Sequence, residues 1–224
     1  MNNHQWDIIT QTGLQFFGKM SASISHEIKN ALAIINESAG LLSDLSNISI
    51  SNGMPLSPEK SKSIADKMSN QIKRANDIVK SMNQLAHSPD EAVNQINLCD
   101  LVQLIIRLSH RFASMKVVTL NLNCSDNSIS VTTNPFLLEA LIFHCLECSM
   151  GLLEKGAQLD ISLEKTQQGA MVSFKPFEIQ NLSTTFPSEK ENALIKMLNI
   201  TLNINNDEKS IILNIPIDYG NALG

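Results

Sequence analysis

Apolar residues at Phe17, Met20, Ile24, Ile28, Ala31, Ile35, Leu42 and Leu45 recur in steps of three, four and seven. That is a helix seam with coiled-coil spacing, and it predicts a first helix from roughly Trp6 to Leu45. Asn47 to Pro58 then reads as a connector, with Asn52-Gly53, Pro55 and Pro58 as breakers. Ser57-Pro58-Glu59 has the chemistry of a helix start: a cap, a proline in the first turn, and an acid near the positive end of the dipole. The second helix carries Ile64, Met68, Ile72, Ala75, Val79, Met82 and Leu85 on one face and ends near His87-Ser88-Pro89. Two long amphipathic helices joined by a short loop make an antiparallel hairpin. A stripe of this length on each helix is more apolar surface than two helices cover. The pattern therefore predicts a C2 dimer in which two hairpins form a four-helix bundle.

From Glu91 the texture changes. Leu98 to Phe112 is helical in pattern, with Leu101, Leu104, Ile105, Leu108 and Phe112 on one face. Val117 to Leu122 and Ser128 to Val131 read as strands with a turn at Asp126-Asn127 between them. Asn134-Pro135 opens an apolar helix predicted to end near Lys155-Gly156. Strands are expected at Leu159 to Leu163, Ala170 to Phe174, Thr201 to Ile204 and Ser210 to Ile215, with a helix over Glu189 to Leu198. The fold class expected is α+β, with a helical hairpin over 1–90 and an α/β sandwich over 91–224.

Composition narrows this picture. With 224 residues, 43% of them hydrophobic and 17% charged, the chain has enough apolar surface for one or two real cores. A net charge of −5 argues against a general nucleic-acid binder. No apolar run approaches the length of a membrane span, and Met1-Asn2-Asn3-His4 lacks the basic start of a signal peptide, so a cytoplasmic location is expected. The cysteines at 99, 124, 145 and 148 follow no pattern of a secreted scaffold. Cys145 and Cys148 form a CxxC inside an apolar helix, with no second ligand pair at finger-like spacing, and are expected to be small core residues.

Candidate chemistry sits off the first seam. At about 100° per residue, His26 lies roughly 200° from Ile24 and points to solvent, with Asn30 one turn on and Glu27 beside it. His87 and His110 lie near helix ends and His4 near the N-terminus, and these three are expected to be structural or solvated. The stretch Ser25-His26-Glu27-Ile28-Lys29-Asn30-Ala31-Leu32 resembles the phosphoacceptor box of sensor histidine kinases, whose dimerisation and phosphotransfer domain is a helical hairpin. The resemblance makes His26 the phosphoacceptor, Glu27 its neighbouring acid and Asn30 the polar residue one turn later. Lys29, Ala33 and Glu37 continue the same side and are expected to meet a partner protein. Ala31 departs from the pattern, since many of these kinases carry a proline there, which removes a bend but leaves the chemistry intact.

The segment after residue 90 is ordered like the ATP-binding domain of that family, yet its nucleotide motifs are missing. The asparagine box falls on His144-Cys145-Leu146-Glu147-Cys148-Ser149, where His144 and Cys148 replace asparagines. Lys175-Pro176-Phe177-Glu178 stands where an Asp-x-Gly-x-Gly loop belongs, no glycine occurs between Gly169 and Gly220, and the lid is shortened to residues around Asn181 to Pro187. The pattern is similar to bacterial histidine phosphotransferases with a degenerate kinase domain. It implies a homodimer that passes phosphoryl groups between receiver-domain aspartates through His26. The Nε2 of His26 would attack, and Glu27 would accept a hydrogen bond from Nδ1–H. No cofactor of its own is expected, magnesium coming from the receiver. The alternatives are a pseudokinase that only binds a regulator or kinase, and a divergent ATP-dependent kinase.

Overall fold

The computed structural model describes residues 3–124, 129–176, 186–205 and 209–218. Two helices come first, α1 (Asn3–Asn52) and α2 (Pro58–His87), followed by β1 (Asn94–Asn97), α3 (Leu98–Lys116), β2 (Thr119–Cys124), β3 (Ser130–Thr133) and α4 (Pro135–Gly151). The chain closes with β4 (Gln158–Thr166), β5 (Gly169–Pro176), α5 (Glu189–Met197), β6 (Thr201–Asn205) and β7 (Ser210–Pro216). The α+β class is therefore as expected. The segments 1–90 and 91–224 follow the order of elements along the chain, but packing groups the residues differently. One compact unit comprises Ser21–Asn83, and the other Met1–Met20 with Gln84–Gly224.

In the helical unit, α1 buries Ser23, Ile24, Ala31 and Ser38, and α2 buries Ile64 and Ser81. Small residues among them let the two backbones approach, and the Ser38 hydroxyl is satisfied by donating to Ile34 O at 2.7 Å. The apolar seam of α1 fades after Leu45, but the helix runs on to Asn52 because no breaker precedes Gly53, which takes φ +65°. On α2, Ile72 and Val79 are 48% and 42% exposed, as are Leu32 at 55% and Leu41 at 50% on α1. A single chain thus leaves apolar surface of both helices uncovered, at about 25 cal/mol per Å² of apolar surface left in water.

In the second unit, β2-β4-β5-β7-β6 form a mixed sheet in which only β2 and β4 are parallel, and β1 pairs with β3 in a separate ribbon. Period-two alternation buries Leu159, Ile161 and Leu163 on β4, Ala170, Val172 and Phe174 on β5, and Ile211, Leu213 and Ile215 on β7. The helices α3 and α4 pack on each other, α3 against β2 and α4 against β5, giving two layers around one core. α4 is apolar nearly all round and correspondingly buried, with Leu138, Ala140, Leu141, Ile142, Cys145 and Leu146 at 0% exposure. Gly169 is required by its place: a Cβ there would stand 1.9 Å from Ile215 O.

Several boundaries move from their expected places. The strand after α3 starts at Thr119 rather than Val117, because Val117 takes φ 57° and its N–H closes the helix on Ser114 O at 3.1 Å. The ribbon strand β1 has no counterpart in the pattern, since Ile96 is its one apolar residue. α4 stops at Gly151 instead of continuing to Lys155. The turn expected at Asp126-Asn127, the strand start at Ser128 and the lid residues 181–185 lie outside the described residues. Cys99 and Cys124 form a disulfide across 25 residues, which spacing along the chain did not announce. Among the described residues no helix is long and apolar enough to cross a membrane.

The core of this unit holds the carboxyl group of Glu139. Glu139 on α4 is 2% exposed, its Oε1 accepts from Ser88 Oγ at 2.7 Å, and its Oε2 has no hydrogen-bond partner. Burial pushes this carboxyl up from 4.5 to about 8, against the lowering effect of Ser88. The folded protein then holds a proton that the unfolded chain releases near 4.5, so stability declines as pH rises from about 4.5 to about 8. Glu139→Gln should remove that decline: its melting temperature should exceed wild type by a few degrees at pH 8 and match it at pH 4.5. Equal pH profiles in thermal melts of the two proteins would contradict this assignment.

Candidate phosphoacceptor site and the α4–α5 cavity

His26 stands on the outward side of α1 and is exposed, as are Lys29, Asn30, Ala33 and Glu37. Their offsets of three, four, seven and eleven residues align them along one face. The opposite face carries Ile24, Ala31 and Ser38, all buried, so helical period alone presents the imidazole to solvent. The ring is oriented by its neighbour one turn on: Asn30 Nδ2 lies 3.2 Å from His26 Nδ1. With the amide nitrogen donating, the ring proton sits on Nε2. A half-turn of the carboxamide brings Oδ1 to accept from Nδ1–H instead, which leaves the Nε2 lone pair facing outward. That second arrangement is the one competent for nucleophilic attack.

Glu27 reaches toward the second helix of the hairpin. Its side chain is 15% exposed, and Oε2 lies 3.8 Å from Arg74 Nη2 on α2. The ring atom expected to meet its carboxylate, Nδ1, is the one that faces Asn30. Glu27 therefore ties the two helices of the hairpin together beside the histidine. Arg74 was missed in the sequence because it lies on the polar face of a different helix.

The second unit contains a cavity of about 540 Å³ at the positions where the asparagine box was expected, lined by His144, Glu147 and Cys148 of α4, Ser188 and Glu191 of α5, and Phe16 and Lys19 of α1. His144 Nδ1 lies 2.6 Å from Glu191 Oε1, and the Ser188 backbone N–H donates to Glu191 Oε2 at 2.8 Å, forming a capping box that starts α5. Burial pushes the Glu191 carboxyl up, but hydrogen bonds from the His144 ring and from the Ser188 hydroxyl and amide outweigh it and hold it at about 2. Lys19 pairs with Glu147. Two carboxylates face the cavity, and the histidine and Lys19 are paired with them. Cys145 is buried as expected, whereas Cys148 lines the cavity half-buried, and burial pushes its thiol up to about 11. Among the described residues no group of three His, Cys, Asp or Glu side chains converges as a metal site.

With this geometry in view, residues 18–91 match the His Kinase A (phospho-acceptor) domain family. The match falls on the helical hairpin. The chain thus has a histidine-kinase-like order of parts, phospho-acceptor helices followed by an α+β domain. Similar solved structures include the histidine kinase AdeS of Acinetobacter baumannii, at 15% identity and a TM-score of 0.46, covering 88% of this chain and 98% of that one. Another is histidine kinase ThkA in complex with response regulator protein TrrA, at 16% identity and a TM-score of 0.46, covering 92% and 63%. A bacterial phosphotransferase is similar at 11% identity and a TM-score of 0.45, covering 89% and 95%. No curated protein matches the sequence.

The His144–Glu191 pair has a measurable signature. His144→Ala removes the donor to Glu191 Oε1, and at pH 7 it should cost about 2 kcal/mol in urea unfolding. The depressed carboxyl contributes stability above 4.5 that is lost as pH falls toward 2. The gap between variant and wild type should therefore shrink across that interval. A gap that is constant from pH 7 to pH 3 would mean that lost packing, not the charge pair, sets the cost.

Proposed function

We propose that the chain is a histidine phosphotransferase of a two-component phosphorelay, moving phosphoryl groups between receiver-domain aspartates through His26 without using ATP. The observation that carries this reading is the exposed His26, with Asn30 against its Nδ1, inside a phospho-acceptor domain. Neutral imidazole is a competent nucleophile toward phosphorus. Nε2 donates its electron pair to the phosphorus of an aspartyl phosphate. The P–N bond forms as the P–O bond to the aspartate breaks, and the electron pair leaves with the carboxylate. The Asn30 carboxamide accepts from Nδ1–H and fixes the tautomer, while the Glu27 carboxylate stabilises positive charge developing on the ring. The reverse step delivers the phosphoryl group to a second receiver. Magnesium bound by the receiver would neutralise phosphate charge.

The exposed Leu32, Ile72 and Val79 support a homodimer through the hairpin, with His26 outward on each protomer. Lys29, Ala33 and Glu37 then lie on the surface a receiver would meet. The paired charges of the α4–α5 cavity and the absence of glycine between Gly169 and Gly220 weigh against an ATP-dependent kinase.

His26→Gln should abolish phosphoryl acceptance from a cognate phospho-receiver and leave the circular dichroism spectrum unchanged, because the side chain is exposed. Glu27→Ala should slow transfer by roughly 10-fold to 100-fold with little change in receiver affinity. Asn30→Ala should also slow transfer, because the group that holds the reactive tautomer is gone. Acid-labile label persisting in His26→Gln would move the acceptor elsewhere. Micromolar receiver binding with no label on wild type would favour a binding module.

Dimerisation has its own check. Ile72→Asp should convert the dimer to a monomer or unfold the hairpin, as seen by light scattering and circular dichroism. A wild type that scatters as a monomer at micromolar concentration contradicts the dimer.

A further inference from the structure

The N-terminal turns of α1 pack within the unit that contains the sheet, and their contacts converge on the groove between α4 and α5. Phe16 is 1% exposed, with its ring centroid 5.7 Å from that of Phe136 and 5.6 Å from that of Phe143. Both distances are those of well-packed aromatic pairs. Gly13 permits this approach, since a Cβ there would stand 2.9 Å from the Phe136 ring. At the rim, Lys19 pairs with Glu147 and lies 5.4 Å from the Phe143 ring centroid, and Lys190 Nζ of α5 donates to Gln15 Oε1 at 2.7 Å. The polar contacts reach two different helices, and between them lies a buried aromatic anchor. Cys148 lines the same cavity as Phe16 and Lys19.

We propose that residues 13–19 of α1 form a latch over the α4–α5 groove, with Phe16 as its anchor and the Lys19–Glu147 pair as its clasp, and that the latch controls access to the cavity and its Cys148 thiol. The clasp is weak by design of its surroundings, because Lys19 and Glu147 are 42% and 40% exposed and solvent screens them. The anchor is strong, because a fully buried aromatic ring is lost only at considerable cost. A ligand or partner that competes for the groove has to displace a segment of α1, and α1 is one continuous helix through Asn52.

The test is the rate at which a small maleimide modifies Cys148 in the full-length native protein, located by peptide mass. Cys145, fully buried, serves as the internal control. The high thiol pKa makes the wild-type rate slow. Phe16→Ala should raise the Cys148 rate by about tenfold or more, and Phe16→Leu, which keeps an anchor, by about threefold. Lys19→Glu should raise it about threefold, and the swap Lys19→Glu with Glu147→Lys should return it close to wild type. Replacing a lysine by an acid would by itself slow a thiolate reaction, so a faster rate reports access. Unchanged rates in folded Phe16→Leu and Lys19→Glu would overturn the latch. So would equal acceleration at Cys145 and Cys148, which reports general loosening of α4.

Discussion

The sidedness of α1 is the constraint on which the rest depends. A helix of 50 residues cannot bury Ile24, Ala31 and Ser38 on one face without turning positions 26, 29, 30, 33 and 37 outward. Packing energy thus places the imidazole. No loop, lid or bound ion is needed to expose it, and its partner Asn30 arrives by the same arithmetic, four residues on. Glu27 sits between the two faces, which is why its carboxylate meets Arg74 of α2. The pair couples the presentation of His26 to the packing of the hairpin.

The second unit follows a different economy. Its core rests on α4, whose side chains are buried on nearly every side, and its polar residues are consumed in holding elements together. Glu191 caps α5 and receives His144 from α4; Glu147 receives Lys19 from α1. Groups that a nucleotide site would aim at phosphate instead meet one another. A charge pair in a partly buried groove is worth most when both partners stay together, so each of these pairs holds one element against another.

The hairpin was legible because its information is local. Period, caps and the breaker at Gly53 all lie within a few residues of what they determine. Most strands of the sheet were legible for the same reason, through alternation at 159–163, 170–174 and 211–215. What was missed depends on partners distant in sequence. The ribbon strand 94–97 exists because Val131 pairs with Ile96, the Cys99–Cys124 disulfide because α3 and β2 come together, and the late start at Thr119 because Val117 closes a helix in a left-handed conformation that valine seldom takes. At the phosphoacceptor site, His26 and Asn30 were readable from one helix. The role of Arg74 required knowing how two helices pack. The docking of Phe16 was hidden because an apolar residue near the start of a seam looks like more of the same seam.

The most direct test of this account offers wild-type protein two phosphoryl donors in parallel, a receiver domain labelled at its aspartate and labelled ATP with magnesium, and maps acid-labile, base-stable label by mass spectrometry. The account predicts label on His26 from the receiver within seconds to minutes and none from ATP after hours. Label on His26 from ATP alone would contradict it.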